Sequence, residues 1–77
     1  MKFSETEKQS MLALKGVGAT VIARLEQIGF SSLKQLASAD AHQVTLQISQ
    51  MMGSTCWHNS PQARASINAI INLAQQS

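Results

Sequence analysis

Apolar side chains recur along most of this chain at the three- and four-residue spacing that places them on one face of an α-helix. Glycine-rich, proline-containing or polar segments interrupt the pattern at intervals. No stretch alternates apolar and polar residues for long enough to favour a β-strand. The pattern therefore predicts an all-α fold, a single compact domain of about five short helices.

Capping residues indicate where the first two helices begin and end. Ser4, followed three residues later by Glu7, matches the capping box, in which two side chains bond free backbone amides at a helix start. It predicts a first helix over residues 5–14. A tight turn separates this from a second helix over residues 19–28, and Gly29 stands where a helix C-terminal glycine is expected.

Two further caps precede the middle of the chain. Either Ser31 or Ser32 can begin a short third helix that continues through Ala37. Asp40 is the predicted cap of a fourth helix. One face of this helix is apolar and is interpreted as core, whereas Leu46 points elsewhere. The members of that face are Ala41, Val44, Ile48, Met51 and Met52.

The last helix follows the longest predicted connection. Residues 53–59 have no apolar period and are rich in loop-forming types, so we expect a loop. Ser60 at the cap and Pro61 in the first turn then form a strong start signal, because proline lacks a donor that would be unpaired there. Its predicted buried stripe consists of Ala63, Ile67, Ile70 and Ala74.

Length and composition limit the classes of protein that this chain can be. Its 77 residues fit one domain, residues 1–77, and its 44% hydrophobic and 13% charged content is that of a globular chain. The apolar runs are too short to cross a membrane. The single cysteine, Cys56, excludes an internal disulfide, and we expect a cytoplasmic protein.

Catalytic and metal-binding chemistry find little support in the residue types present. The four acidic residues each have a capping or surface explanation, so no pair remains for acid–base catalysis. Cys56 and His58 lie close in sequence, but a zinc site needs about four ligands and His42 belongs to another helix. We therefore expect no enzymatic activity, no catalytic or metal-binding residues and no cofactor.

The most informative segment joins the first two helices. It has two glycines around one aliphatic residue, then an apolar-striped helix, then a glycine–aromatic pair, and it reads Leu14-Lys15-Gly16-Val17-Gly18-Ala19 and later Ile28-Gly29-Phe30. Over about residues 11–41 this pattern resembles the helix-hairpin-helix family. The resemblance implies a helix-hairpin-helix, SAM-like arrangement and binding to the phosphate backbone of DNA.

Elementary electrostatics points to the same ligand class. A helix N-terminus presents unpaired N–H groups and the positive end of its dipole, and glycines let an anion approach closely. We expect the amides of residues 17–20 to converge on one phosphate oxygen. DNA-binding members of the family often carry Lys or Arg where this chain has Thr20, so Lys15 and Arg24 are the predicted charge partners.

The charge of the chain limits the strength of any such binding. The net charge is only +2, and no dense basic stripe is present. Contact with two or three phosphates predicts a dissociation constant near the weak end of the range of about 10⁻⁴ to 10⁻⁶ M and no base specificity. We expect useful affinity to require a second hairpin, from a homodimer or from a partner.

A different function fits the same fold. The hairpin can be purely structural in a protein-interaction adaptor that docks a partner through the Trp57 loop or the surface around Leu46. Trp57 itself is either a core plug beneath the loop or an exposed stacking surface. Gly53, Trp57-His58, Pro61 and Arg64 also resemble the C-terminal domain of bacterial competence regulators and the pathogenicity-locus family of stand-alone helix-hairpin-helix proteins. Neither resemblance implies catalysis.

Overall fold

The computed structural model describes residues 2–53 and 56–76, which contain six α-helices and, within those ranges, no strand. In chain order the helices are α1 Glu5–Leu12, α2 Ala19–Gln27, α3 Leu33–Ala37, α4 Ala41–Met52, α5 Cys56–Asn59 and α6 Pro61–Gln76. The all-α prediction is confirmed. Five of the six helices correspond to the five predicted ones, and the four-residue α5 is additional.

Side-chain caps begin α1, α3, α4 and α6 at the predicted residues. The Ser4 hydroxyl accepts from the Glu7 amide at 3.2 Å, and the Asp40 carboxylate accepts from the fourth helix at 3.1 Å. Ser32, rather than Ser31, caps α3 and completes a capping box. Ser60 accepts a 3.2 Å hydrogen bond from the first turn of α6. Local sequence therefore determines four helix starts, as capping chemistry requires.

Two predictions about secondary structure were wrong, the end of the first helix and the loop before the last one. The first helix ends at Leu12, because the Leu14 amide turns back to the Met11 carbonyl at 3.0 Å and starts the connecting turn. The segment 53–59, predicted to be a loop, contains α5. Gly53 ends α4 in the left-handed conformation, with φ of 67°, and residues 54 and 55 lie outside the described part of the chain.

One apolar core holds the helices together. Its described buried side chains include members of α1, α2, α3, α4 and α6, Trp57 of α5 packs against them, and α6 packs along both α3 and α4. The side chains buried almost completely include Met11, Ile22, Leu25, Leu36, Ile48, Ile67 and Ile70. Loss of their contact with water is the main term that stabilises the domain.

The core ends before the last turn of α4, which corrects the prediction for two methionines. Val44 and Ile48 are buried as expected, but Met51 and Met52 are 41% and 43% exposed. Leu46 is half-buried. The helical period identifies the apolar face of α4 but does not say how far along the helix that face is buried.

Two glutamates join the first three helices through backbone amides. The Glu26 carboxylate accepts from the Phe3 amide at 2.9 Å, which fastens the N-terminal segment to α2. The Glu7 carboxylate accepts from the Leu33 amide at 3.0 Å, at the start of α3. Because each amide belongs to another element, these bonds set how α1, α2 and α3 meet.

Candidate nucleic-acid interface

The turn between α1 and α2, residues 13–18, is here called the hairpin, and it is held in place by a backbone hydrogen bond and by one buried side chain. The Val17 amide donates to the Leu14 carbonyl at 3.3 Å, and the Val17 side chain is buried in the core. Gly16 has a φ of +84°, a left-handed conformation that side chains with a Cβ rarely adopt. The first hairpin glycine is therefore required by backbone geometry.

A side chain of the last helix, α6, forms a hydrogen bond with the same turn. The Ser66 hydroxyl lies 2.7 Å from the Gly16 carbonyl oxygen and 3.0 Å from the Gln62 carbonyl one turn earlier in α6. A Cβ added to Gly16 would lie 3.7 Å from the Ser66 hydroxyl oxygen, so turn and helix are in close approach. Ser66 is nearly buried at this contact.

The N-terminus of α2 remains open to solvent. Gly18 is the cap residue, has an extended backbone and supplies no side chain to bond the first turn. Its carbonyl accepts from the Val21 and Ile22 amides, at 3.1 and 3.4 Å. The amides of Gly18, Ala19 and Thr20 have no acceptor within the described ranges, and all three residues are exposed. These are the free donors that an anion requires.

Of the four backbone amides predicted to bind an anion, at residues 17–20, the structure leaves three free. We expected the Val17 amide to point outward with the next three, but it bonds to Leu14, and its side chain is only 8% exposed. The Val17 side chain is buried in the core, and its amide is bonded within the turn and is not free for solvent. Three consecutive amides, at residues 18–20, remain.

The two predicted charge partners differ in their positions. Lys15 is exposed, and its side chain makes no hydrogen bond or ion pair with the described residues. Together with Gly16 and Ser66 it lines a small open cleft of about 310 Å³ between the turn and α6. Lys15 is therefore a free cation at the hairpin.

Arg24, the other predicted charge partner, has a hydrogen-bond partner within α2. Its guanidinium donates to the Gln27 side chain at 3.0 Å, one turn further from the start of α2, and its Nε is buried with no hydrogen-bond partner among the described residues. Four residues of helix already separate Arg24 from Thr20 by about 6 Å along the axis. The bond to Gln27 directs the charge away from the free amides.

Sequence reasoning missed Ser66, the residue that fastens the turn. A signal was present, since Ser66 lies beside Ile67 and one turn before Ile70, on the buried face of α6. A hydroxyl on an apolar face needs a hydrogen-bond acceptor, because burying it unpaired costs free energy. The acceptor itself, 50 residues earlier, has no local signal.

The burial of Trp57 lies between the two alternatives that the sequence left open. The residue is half-buried and packs against the core, yet it also lines an open cleft of about 360 Å³ with Gly16 and Val21. The side chains of Cys56 and His58 lie outside what the structure describes. Trp57 thus packs on the core and also lies beside the hairpin.

Comparison with known proteins gives no relative to argue from. No protein-family model, no curated protein and no solved structure matches the chain. Among the helices described, none has the length and apolar character needed to span a bilayer.

Proposed function

We propose that this chain is a helix-hairpin-helix module that binds the phosphate backbone of DNA, weakly and without sequence preference. The observation that supports the proposal is the run of three exposed, unbonded amides at residues 18–20, at the positive end of α2. Lys15, three residues before Gly18 in the same turn, adds an exposed cation. Backbone amides recognise phosphate oxygens but carry no information about bases.

The charge available at the hairpin sets the expected strength. Contact with two or three phosphates gives a salt slope of about −1.8 to −2.7, so affinity for a duplex should fall about 12- to 40-fold between about 50 and 200 mM salt. A second hairpin, in a homodimer or a partner, would raise the apparent affinity through effective concentration. Sedimentation with and without duplex would show which assembly forms.

The substitution Gly18→Asn tests the amides directly. An asparagine at this cap position would accept hydrogen bonds from the first turn of α2 and so occupy donors that a phosphate needs. We expect the helix to be as stable as before or slightly more stable. Affinity for a labelled duplex at low salt should fall about tenfold, the equivalent of one lost charge-assisted hydrogen bond.

A matched control is available at the end of α4. Gly53→Asn makes the same chemical change at a left-handed helix terminus, where asparagine is tolerated. Duplex affinity should be unchanged in this variant. If Gly18→Asn also binds like the unsubstituted chain, or if the unsubstituted chain binds no duplex at low salt, the DNA proposal is wrong.

One observation favours a second candidate, a protein-interaction adaptor of the same fold. Leu12, Met51 and Met52 are large apolar side chains between 36% and 43% exposed. Flexible methionine side chains are suited to adaptable protein contacts. A pull-down from native cytosol should then retain a stoichiometric protein that is lost when both methionines become glutamine. Recovery of nucleic acid alone would count against the adaptor.

A further inference from the structure

The open cleft beside the hairpin, here called the Trp57 cleft, has a mixed lining. It measures about 360 Å³, and its walls combine one aromatic ring with small apolar and neutral polar groups. None of its described lining residues is acidic. The lining residues are Gly16, Val21, Trp57, Ser60, Gln62, Ala63 and Ser66.

Residues on both sides of the free amides along the chain line the Trp57 cleft. Two of its lining residues, Gly16 and Val21, flank the free donors of residues 18–20 in sequence. Three residues of the Trp57 cleft also line the cleft that contains Lys15, namely Gly16, Gln62 and Ser66. An anion on the amides would therefore lie near the Trp57 cleft, with a cation nearby.

We propose that the Trp57 cleft binds an unpaired base of a DNA strand whose phosphate occupies the amides, an inference that rests on the proposed function. The indole supplies a stacking surface, which is sequence-tolerant because every base has a π-face. The Gln62 side chain has no partner within the described ranges and offers both donors and an acceptor to a base edge. Bases within a duplex are already stacked and paired, so the chain prefers single strands and frayed ends.

The natural fluorescence of the chain allows a direct test. Trp57 is its single tryptophan and it has no tyrosine, so emission reports on this cleft alone. The probes are a short oligothymidylate and an abasic strand of the same length and charge. The oligothymidylate should quench Trp57 and bind about 5- to 150-fold more tightly than the abasic strand, the fold-change equivalent to stacking one base.

A variant separates stacking from phosphate contact. Trp57→Leu keeps an apolar side chain against the core, and circular dichroism checks that the fold survives. Its affinity for oligothymidylate should fall to that for the abasic strand, while abasic binding stays the same. If Trp57→Leu loses more affinity for the abasic strand than for oligothymidylate, the assignment of the Trp57 cleft to a base is wrong. The probe comparison on the unsubstituted chain needs no variant, so a folding failure does not remove the test.

The outcomes distinguish this inference from the proposed function. Equal affinity for the two strands with unchanged Trp57 emission overturns the base-binding cleft but leaves phosphate binding intact. Absence of binding to either strand and to duplex overturns both. A protein that shields Trp57 while both strands bind equally would assign the cleft to a protein segment, and that result also overturns the inference.

Discussion

The Ser66 hydroxyl lies 2.7 Å from the carbonyl oxygen of Gly16, and this bond joins residues 50 positions apart. The carbonyl and the following N–H belong to one planar trans peptide, so they point in opposite directions. The carbonyl faces α6, and the N–H of Val17 donates to Leu14 on the other side. Both ends of this peptide are thus held, which orients the free amides that follow it.

Ser66→Ala should therefore destabilise the domain through the turn. Ser10→Ala is the matched control, because Ser10 makes the same bond to the carbonyl four residues earlier, to Thr6, but has no long-range partner. The free energy of unfolding in urea should fall by about 1 kcal/mol more in Ser66→Ala than in Ser10→Ala. Equal effects would mean that the bond to Gly16 contributes nothing.

The two hairpin glycines should respond differently to alanine. Gly16→Ala forces a Cβ into a left-handed conformation and should cost about 1–2 kcal/mol. Gly18 has ordinary extended backbone, and no described atom lies within 4 Å of an added Cβ, so Gly18→Ala should cost less than about 1 kcal/mol, the loss expected when alanine replaces glycine at a helix cap. Thermal or urea unfolding measures both. A stability loss at Gly18 as large as at Gly16 would contradict the backbone argument.

The salt dependence of duplex binding should separate the cations. Lys15→Gln removes the free charge at the hairpin and should make the salt slope less steep by about 0.9. Arg24→Gln should leave it nearly unchanged, because the guanidinium is bonded towards Gln27. Lys34→Gln is the matched control, an exposed lysine on α3 that lines a different cleft. A larger change for Arg24→Gln than for Lys15→Gln would show that the arginine, not the lysine, meets phosphate.

Glu7 should contribute more to stability than its neighbour on α1. Its carboxylate accepts from the Leu33 amide, whereas Glu5 is exposed and has no side-chain bond within the described residues. Glu7→Gln should lower the free energy of unfolding by about 1 kcal/mol, because the amide loses a charged acceptor. Glu5→Gln should have a much smaller effect. The reverse order would show that the bond between α1 and α3 is not a stabilising one.

The features predicted correctly from sequence are the local ones. The caps at Ser4, Asp40 and Ser60 bond amides only three residues away, so the residue types nearby suffice to identify them. The choice between Ser31 and Ser32 stayed open because both serines precede the same helix. The hairpin glycines were likewise identified from spacing.

The features that sequence did not predict depend on distant neighbours. Met51 follows the buried period of α4, but its exposure depends on where other helices end. The partner of Ser66 is set by packing of α6 on the turn. Arg24 has the spacing of a hairpin cation, and only the bond to Gln27 reveals its direction. A helical period identifies a face but not what covers it.

The central claim is that the amides of Gly18, Ala19 and Thr20 bind phosphate, and mapping of amide chemical shifts tests it most directly. A short duplex is added at low salt to the labelled chain. We predict shifts largest at these three residues, little change at the bonded Val17 amide, and reversal of the shifts on raising the salt. Shifts that leave residues 18–20 unmoved, or that cluster on another surface, would contradict the account.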